Sequence, residues 1–418
     1  MDGQQVPVLL WAPLHEVESE ALTQLRNTAN LPSARYVRAM PDVHAGFGVP
    51  VGSVVALKDA VAPGIVGVDI GCGMDALRTS LTPAMLPKDL KGLRLRIEEF
   101  IPNGTGCAHE TAHPGTKAPE FEELWERVKQ TRQSRCSLEN AKRQMGTLGS
   151  GNHFIEVCED QEGRIWLMLH SGSRNFGKEV ADSYAHLAEE HPINRDLPDK
   201  RIAVFPRESP DFADYWRDMQ TAQEYARLNR QLMMDLLLSA LHAEGLDYAP
   251  VDMRVSCHHN YATEEVIDGE KLIVARKGAI EAKEGQWGII PGAMGRKSFI
   301  VQGLGNPESL MSASHGAGRK MSRSKANKTF TLDDLRESTK GVECHIGKGV
   351  LDEIAMAYKD IEVVMQNQAD LVTPMFELHS LLTVKGHDEK MRRDRKESEK
   401  AWKNQRRLER EMKHRVRE

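Results

Sequence analysis

Apolar residues recur along this chain with two periods, and the places where the period changes mark the expected elements. The spacing predicts a strand over 6–11, a helix over 16–29 and a strand over 53–57. Between the last two lies a Gly/Pro-punctuated segment, 40–52, read as a patterned loop. A β-branched run then enters Gly64-Ile65-Val66-Gly67-Val68-Asp69-Ile70-Gly71-Cys72-Gly73-Met74, which reads as a strand ending in a tight turn. Helical spacing follows over 86–100 and, strongly charged, over 119–144, with a Gly/His/Thr-rich surface loop at 102–118 between them. A strand at 165–169 precedes a Pro-rich excursion at 191–210, and 214–244 reads as a long helix whose Met/Leu face packs in the core. A strand is expected at 253–256, a β-rich section with 272–275 and then 287–295, and another strand at 298–303, followed by helices at 332–338 and 351–366, with the compact part ending near Gly386. No internal repeat and no linker divides residues 1–386, which are expected to form one domain.

Composition narrows the class. Among 418 residues 40% are hydrophobic, enough for a sizeable core, yet no run approaches the ~18 apolar residues that a membrane span needs. The first residues lack a basic segment followed by an apolar one, so no secretory signal is expected. Six cysteines are scattered without a CxxC pair, which suits free thiols in a reducing compartment, and the expected location is cytoplasmic. The net charge of −5 conceals an asymmetry: residues 387–418 carry +5 and the remainder −10. An acidic body argues against broad duplex binding, though not against gripping one RNA end. The tail at 387–418 reads as a solvated helix with i,i+4 pairs, as disorder, or as an RNA- or ribosome-binding extension.

Chemistry-bearing residues gather at the ends of strand-like segments, beside Gly or Asn. They are Asp69, Cys72, His153, His170, His259 and His315. Taken alone, Asp69-x-x-Cys72 fits a bulge with a buried Cys as well as a metal site. Taken together, a carboxylate, a thiolate and several imidazoles would bind one or two divalent ions with the thiolate able to bridge. Softness favours zinc; open carboxylate and imidazole positions also suit manganese or iron. The glycine turns 149–152, 291–295 and 315–319 could form anion-binding nests, and Arg174 suits bidentate phosphate binding. Neither a P-loop nor GxGxxG opening a βαβ unit is present. Metals, nests and Arg point to phosphoryl or nucleotidyl transfer, with a histidine outside the metal shell as nucleophile.

The motifs MPDVHAGFGVPVG (40–52), GIVGVDIGCGM (64–74), LGSGNHFIE (148–156), LHSGSR (169–174), CHHN (257–260), IIPGAMG (289–295), SHGAGR (314–319) and MAYKDI (356–361) resemble, in order, those of the RtcB family of RNA-splicing ligases. The resemblance spans about residues 6 to 386. It implies an α+β fold, a single large domain with a central active-site cleft, and a GTP- and manganese-dependent enzyme. RNA 3′-phosphate or 2′,3′-cyclic phosphate ends would be joined to 5′-hydroxyl ends, in tRNA splicing or RNA repair, through histidine-GMP at His315. By motif, Asp69, Cys72 and His153 match ligands of one manganese ion, and Cys72, His170 and His259 those of a second. Positions matching GTP contacts are Asn152, His153, Phe154, Ile155, Glu156, His259, Asn260, Pro291, Gly292, Ala293, Met294, Ser298, His315, Gly316, Ala317, Gly318, Tyr358 and Lys385. Arg174 and Asp42 match RNA-end contacts. Expected partners are RNA with broken ends (tRNA or rRNA) and an archease-like activator, with the chain a monomer or weak dimer away from membranes.

The chain departs from the family pattern at Ala293, where many members carry Ser; one lost hydrogen bond is worth ~0.5–1.5 kcal/mol. Ala313 stands where relatives often have Cys, Asn175-Phe176 replaces a Gly-containing pair, and the basic tail is an extension. These features suggest a paralogue directed to repair. A competing reading keeps the metals but makes the protein a phosphodiesterase or phosphatase acting on RNA ends. A third, a non-catalytic RNA-binding module, fits poorly because every candidate ligand and the nucleophile are present.

Overall fold

The computed structural model describes residues 5–132, 136–248 and 253–386. The charged segment at 387–418 lies outside them. Two large sheets carry the fold among the described residues. One has five strands in the order Val8–Leu10, Ala34–His44, Val51–Leu57, Glu270–Lys277 and Asn260–Ile267, parallel at the first pair and antiparallel elsewhere. The other runs Trp287–Ile290, Ser298–Gly303, Val372–Lys385, Phe154–Asp160, Ile165–Ser171, Gly73–Arg78 and Met253–His258, all antiparallel, with Glu343–Cys344 added parallel to Val372–Lys385. Its first and last strands approach each other, so this sheet nearly closes into a barrel. Helices and sheets together make the α+β class expected from the motifs.

Strand periodicity sorts the barrel's side chains onto two faces. Ile155, Val157, Ile165, Leu167 and Leu169 face outward and join the main core. Met74, Ala76, Phe154, Cys158, Trp166, Met168, Ile289, Ile300 and Leu378 fill the interior. His170 continues the inward series of Trp166 and Met168, and Glu156 sits between the inward Phe154 and Cys158. Polar groups thus close the apolar interior at both ends: His170 and Glu156 at one, and at the other Asp160, which accepts from Trp166 Nε1 at 2.9 Å.

Outside the barrel the 34-residue helix Pro210–Ala243 packs on Lys91–Phe100, Pro119–Lys129, Arg174–Glu190 and two of the strands. Ser209 caps it by accepting from the Asp211 N–H. Its Met/Leu face is core, as expected, but it also buries Asn229 and Arg230. No described helix is long and apolar enough to cross a membrane.

Several local expectations are corrected. Met40–His44 continues the strand Ala34–His44, so only residues 45–50 form a loop. The run at 63–66 is a helical turn, Pro63–Val66, with Pro at its start; the strand Gly73–Arg78 follows the Asp-x-x-Cys turn instead of leading into it. The charged stretch 119–144 is two helices, Pro119–Lys129 and Leu138–Gln144, because Ser137 caps a second start. The segment 351–366 is 3₁₀ turns followed by the short helix Ile361–Gln366, which Asp360 caps. Helix Arg174–Glu190 and the barrel strand Val372–Lys385 had no sequence expectation. That strand runs VTPMFELHSLLTVK and hides its period behind a proline and a bulge near Ser380.

Candidate active site

Asp69 and Cys72 stand on the turn between the helical turn Pro63–Val66 and the strand Gly73–Arg78. Gly71 makes that turn: its φ is +72°, and a Cβ there would lie 2.8 Å from the Ala226 methyl on the long helix. Strand pairing sets Met74 opposite His170 and His170 opposite Phe154, which draws the neighbouring Cys72 and His153 to the same end of the barrel. His259 joins them from the connection between two strands.

Two ligand triads result, Asp69–Cys72–His153 and Cys72–His170–His259, the ligand atoms of each lying within 4.8 Å of one another. Cys72 Sγ lies 3.4 Å from His153 Nε2 and 3.1 Å from His170 Nε2. His153 Nε2 is 2.8 Å from Asp69 Oδ2, and the His170 and His259 Nε2 atoms are 3.2 Å apart. Burial holds all three imidazoles below their usual titration range, so they are neutral. His153 Nδ1 lies 3.0 Å from the Leu148 carbonyl, which accepts a hydrogen bond from Nδ1–H and so turns the Nε2 lone pair to the cluster. Burial, then the Asp69 charge, pushes the Cys72 thiol up, so a cation would have to displace its proton. Nitrogen lone pairs converging on a thiol and a carboxylate repel one another without a cation. The donor set therefore fits two divalent ions that share one thiolate.

His315 stands beside this cluster, its ring centroid 4.8 Å from that of His259, and its side chain is 15% exposed toward the cleft. Asp42 Oδ2 accepts from His315 Nδ1 at 2.7 Å and from the His315 backbone N–H at 3.2 Å. That acceptor keeps the proton on Nδ1 and leaves the Nε2 lone pair free. Lys359 fixes Asp42 from behind by donating to the Pro41 and Val43 carbonyls at 3.0 and 2.7 Å. Asp42, expected at an RNA end, is fully buried with its carboxylate on His315. Its place is behind the nucleophile candidate.

A cleft of ≈ 570 Å³ opens over both groups. Of the expected nucleotide contacts, Asn152, Phe154, Glu156, His259, Asn260, Pro291, Gly292, Ala293, Met294, His315, Gly316, Ala317, Gly318, Tyr358 and Lys385 line it. Ile155 does not, because strand alternation turns it into the main core. Ser298 lies behind the wall, its hydroxyl accepting from the Gly292 N–H at 3.1 Å. Arg174 turns inward, with Nη1 3.1 Å from His153 Nδ1 and 3.4 Å from Ser171 Oγ.

At the far wall Glu353, missed in the sequence, gathers three cations and a phenol. Lys385 Nζ donates to it at 2.6 Å, Arg319 Nη1 at 3.1 Å, Arg323 Nη1 at 2.8 Å and the Tyr358 hydroxyl at 2.8 Å. Burial opposes its charge, but Lys385, Arg323 and Arg319 outweigh this and hold it down to about 2. Glu156 fares differently. Burial pushes it up to about 7, against the Thr383 hydroxyl that donates at 2.9 Å and the Lys385 charge. With a folded value above the unfolded ~4.3, its stabilising effect is full below that value and is lost as pH rises through about 7. Urea melts at pH 5 and pH 8 are therefore expected to show Glu156→Gln without a component on the order of 2–3 kcal/mol in the native protein's pH dependence. Equal slopes in the two proteins would contradict the buried, protonated state.

Arg230 and Asn229 were also missed. Arg230 Nη1 donates to the Gly71 and Ser171 carbonyls at 2.8 and 3.0 Å, tying the segments that carry Cys72 and His170 to the long helix. Asn229 accepts from Gly146 N–H at 2.8 Å and donates to the Thr147 and Gly172 carbonyls at 3.2 and 3.3 Å. The helix also buries Asp218, Thr221 and Gln223, so polar residues on its core face did not by themselves single these two out.

Comparison with known proteins places this site in context. A family model described as tRNA-splicing ligase RtcB matches residues 24–386. The chain is 43% identical over 401 residues, 92% of its length and 98% of the relative's, to RNA-splicing ligase RtcB1 of one Escherichia coli strain. The same figures hold for RNA-splicing ligase RtcB of strain K12. It is 32% identical over 442 residues, 86% of its length and 91% of the relative's, to the tRNA-splicing ligase RtcB of Nanoarchaeum equitans.

Proposed function

Because this chain belongs to the RtcB family, we propose that it is an RNA ligase that joins 3′-phosphate or 2′,3′-cyclic phosphate ends to 5′-hydroxyl ends at the cost of GTP. The observation that carries this reading is His315, with its Nδ1 proton held by Asp42 and its Nε2 lone pair beside two metal-binding triads. The Nε2 lone pair attacks the α-phosphorus of GTP. The nitrogen–phosphorus bond forms as the bond to the bridging oxygen breaks, and pyrophosphate leaves with that electron pair. Asp42 balances the positive charge left on the imidazole ring. An oxygen of the RNA 3′-phosphate then displaces His315 from the same phosphorus. The 5′-hydroxyl oxygen next attacks the RNA phosphorus as the bond to the GMP oxygen breaks, so GMP leaves with that electron pair and the hydroxyl proton passes to water; a 2′,3′-cyclic end enters this sequence after water opens it to the 3′-phosphate.

Asp69, Cys72, His153, His170 and His259 would hold the two ions, which we take to be manganese on the family resemblance. When bound, such ions supply Lewis acidity toward phosphoryl oxygens. Glu156, Tyr358 and Lys385 offer a carboxyl group, a stacking surface and a cation along the cleft, where the base of the nucleotide fits. Arg174 remains the candidate for the RNA phosphate by turning outward.

Incubation with [α-32P]GTP and manganese should leave label on the protein. A chase with 3′-phosphate and 5′-hydroxyl RNA should transfer it and yield joined strands. A protein that hydrolyses RNA ends without taking label would favour the phosphodiesterase reading instead. Cleaved tRNA and rRNA offered side to side would separate splicing from repair.

A further inference from the structure

Among the described large apolar side chains left more than a third exposed, only Phe47 and Val68 line the cleft, at 53% and 50%. Exposed apolar side chains are ordinary when scattered, but these two line one cleft. Val68 precedes Asp69, so this part of the cleft adjoins the metal triads.

Phe47 is held rigidly. Gln24 bonds both the N–H and the carbonyl of Gly46, at 3.1 and 2.6 Å, and Glu18 accepts from the Ala45 N–H at 3.1 Å. The Phe47 carbonyl accepts from the Val49 N–H at 2.9 Å and from Lys277 Nζ at 2.7 Å. Gly48 completes the turn at φ +75°, where a Cβ would fall 2.8 Å from Arg201 Cβ. The Arg201 guanidinium lies 5.4 Å from the Phe47 ring centroid and so backs one face of the ring. A cation-backed ring on a pinned backbone, with half its surface exposed, is a stacking platform. Asp182 and Glu189 line the same cleft together with His186 and Lys277, so the charges there are mixed and the ring face itself is what selects an aromatic occupant.

We propose that Phe47, with Val68 at its side, stacks the terminal base of an RNA strand and so places the strand's end against the metal triads. This rests on the RNA-ligase reading. Sequence-tolerant recognition follows, because every base presents a π face.

Equilibrium binding by fluorescence anisotropy tests it with two labelled single strands, one ending in a 3′-phosphate and one in a 5′-hydroxyl, each with an intact or an abasic terminal nucleotide. Phe47→Ala is expected to weaken binding of one intact strand about 5- to 150-fold. Phe47→Leu should weaken it comparably, since it keeps apolar volume without a π face, and Phe47→Trp should restore it. The abasic strand should bind the native protein as weakly as Phe47→Ala binds the intact one, with no further loss when the two changes are combined. The strand that responds identifies which end the platform holds. Independent, additive losses, unchanged binding, or a Leu variant equal to the native protein would overturn the proposal. Thermal melts verify that the variants stay folded. Strand joining by the native protein is scored in parallel, so a failed ligase reading shows there and a failed platform shows in the binding data alone.

Discussion

Cys72→Ala is expected to remove both bound ions at once and to lower RNA joining by on the order of 10³-fold or more. The reason is that one sulfur serves both triads: without it Asp69 and His153 are left on one side and His170 and His259 on the other. Two donors hold a divalent ion far less well than three, and neither remaining pair can share its charge with the other. Asp69→Ala or His259→Ala should instead weaken one site more than the other. The fold should survive, because Cys72→Ala deletes one buried sulfur and leaves the Arg230 bond to the Gly71 carbonyl intact. A destabilisation of ~1 kcal/mol is the expected scale for a group of that size. Metal content per chain by elemental analysis, with a urea melt on the same preparation, measures both halves. A variant that keeps two ions per chain would refute the shared thiolate.

Asp42→Asn should slow transfer of nucleotide label to the protein by about 10²–10⁴-fold while leaving metal content unchanged. An amide can still accept from Nδ1, but it carries no charge to balance the ring cation that forms as Nε2 bonds to phosphorus. It can also present its NH₂ to His315, which would turn the proton to Nε2 and block the attacking lone pair. His315→Ala should abolish the label altogether. The contrast between a slow and a missing reaction separates an orienting carboxylate from the nucleophile. Labelling of Asp42→Asn at the native rate would leave the Asp–His pair without a part in the chemistry.

Much of this centre is legible in the sequence because its candidate ligands are marked by residue type and by the backbone around them. Asp69, Cys72, His153, His170 and His259 each sit beside glycines, asparagine or strand ends, and few structural needs combine a thiol and imidazoles in that setting. Binary periodicity likewise gives the long helix and the strands at Val8–Leu10, Val51–Leu57, Ile165–Ser171, Met253–His258, Glu270–Lys277, Trp287–Ile290 and Ser298–Gly303. It fails where a cap restarts a helix, as at Ser137 and Asp360, and where a proline and a bulge mask a strand, as in Val372–Lys385.

What the sequence by itself determined was the inventory: an α+β chain carrying one carboxylate, one thiolate, three imidazoles, a further histidine and nucleotide-sized glycine turns. The tertiary structure decided the pairings. Asp42 reaches His315 across 273 positions, and Arg230 reaches Gly71 across 159. Glu353 draws together Lys385, Arg319 and Arg323 at a wall that no local pattern marks. A charged or polar side chain far along the chain carries no signature of its partner, since the hydrogen bond that fixes its role exists only once burial has removed water from both.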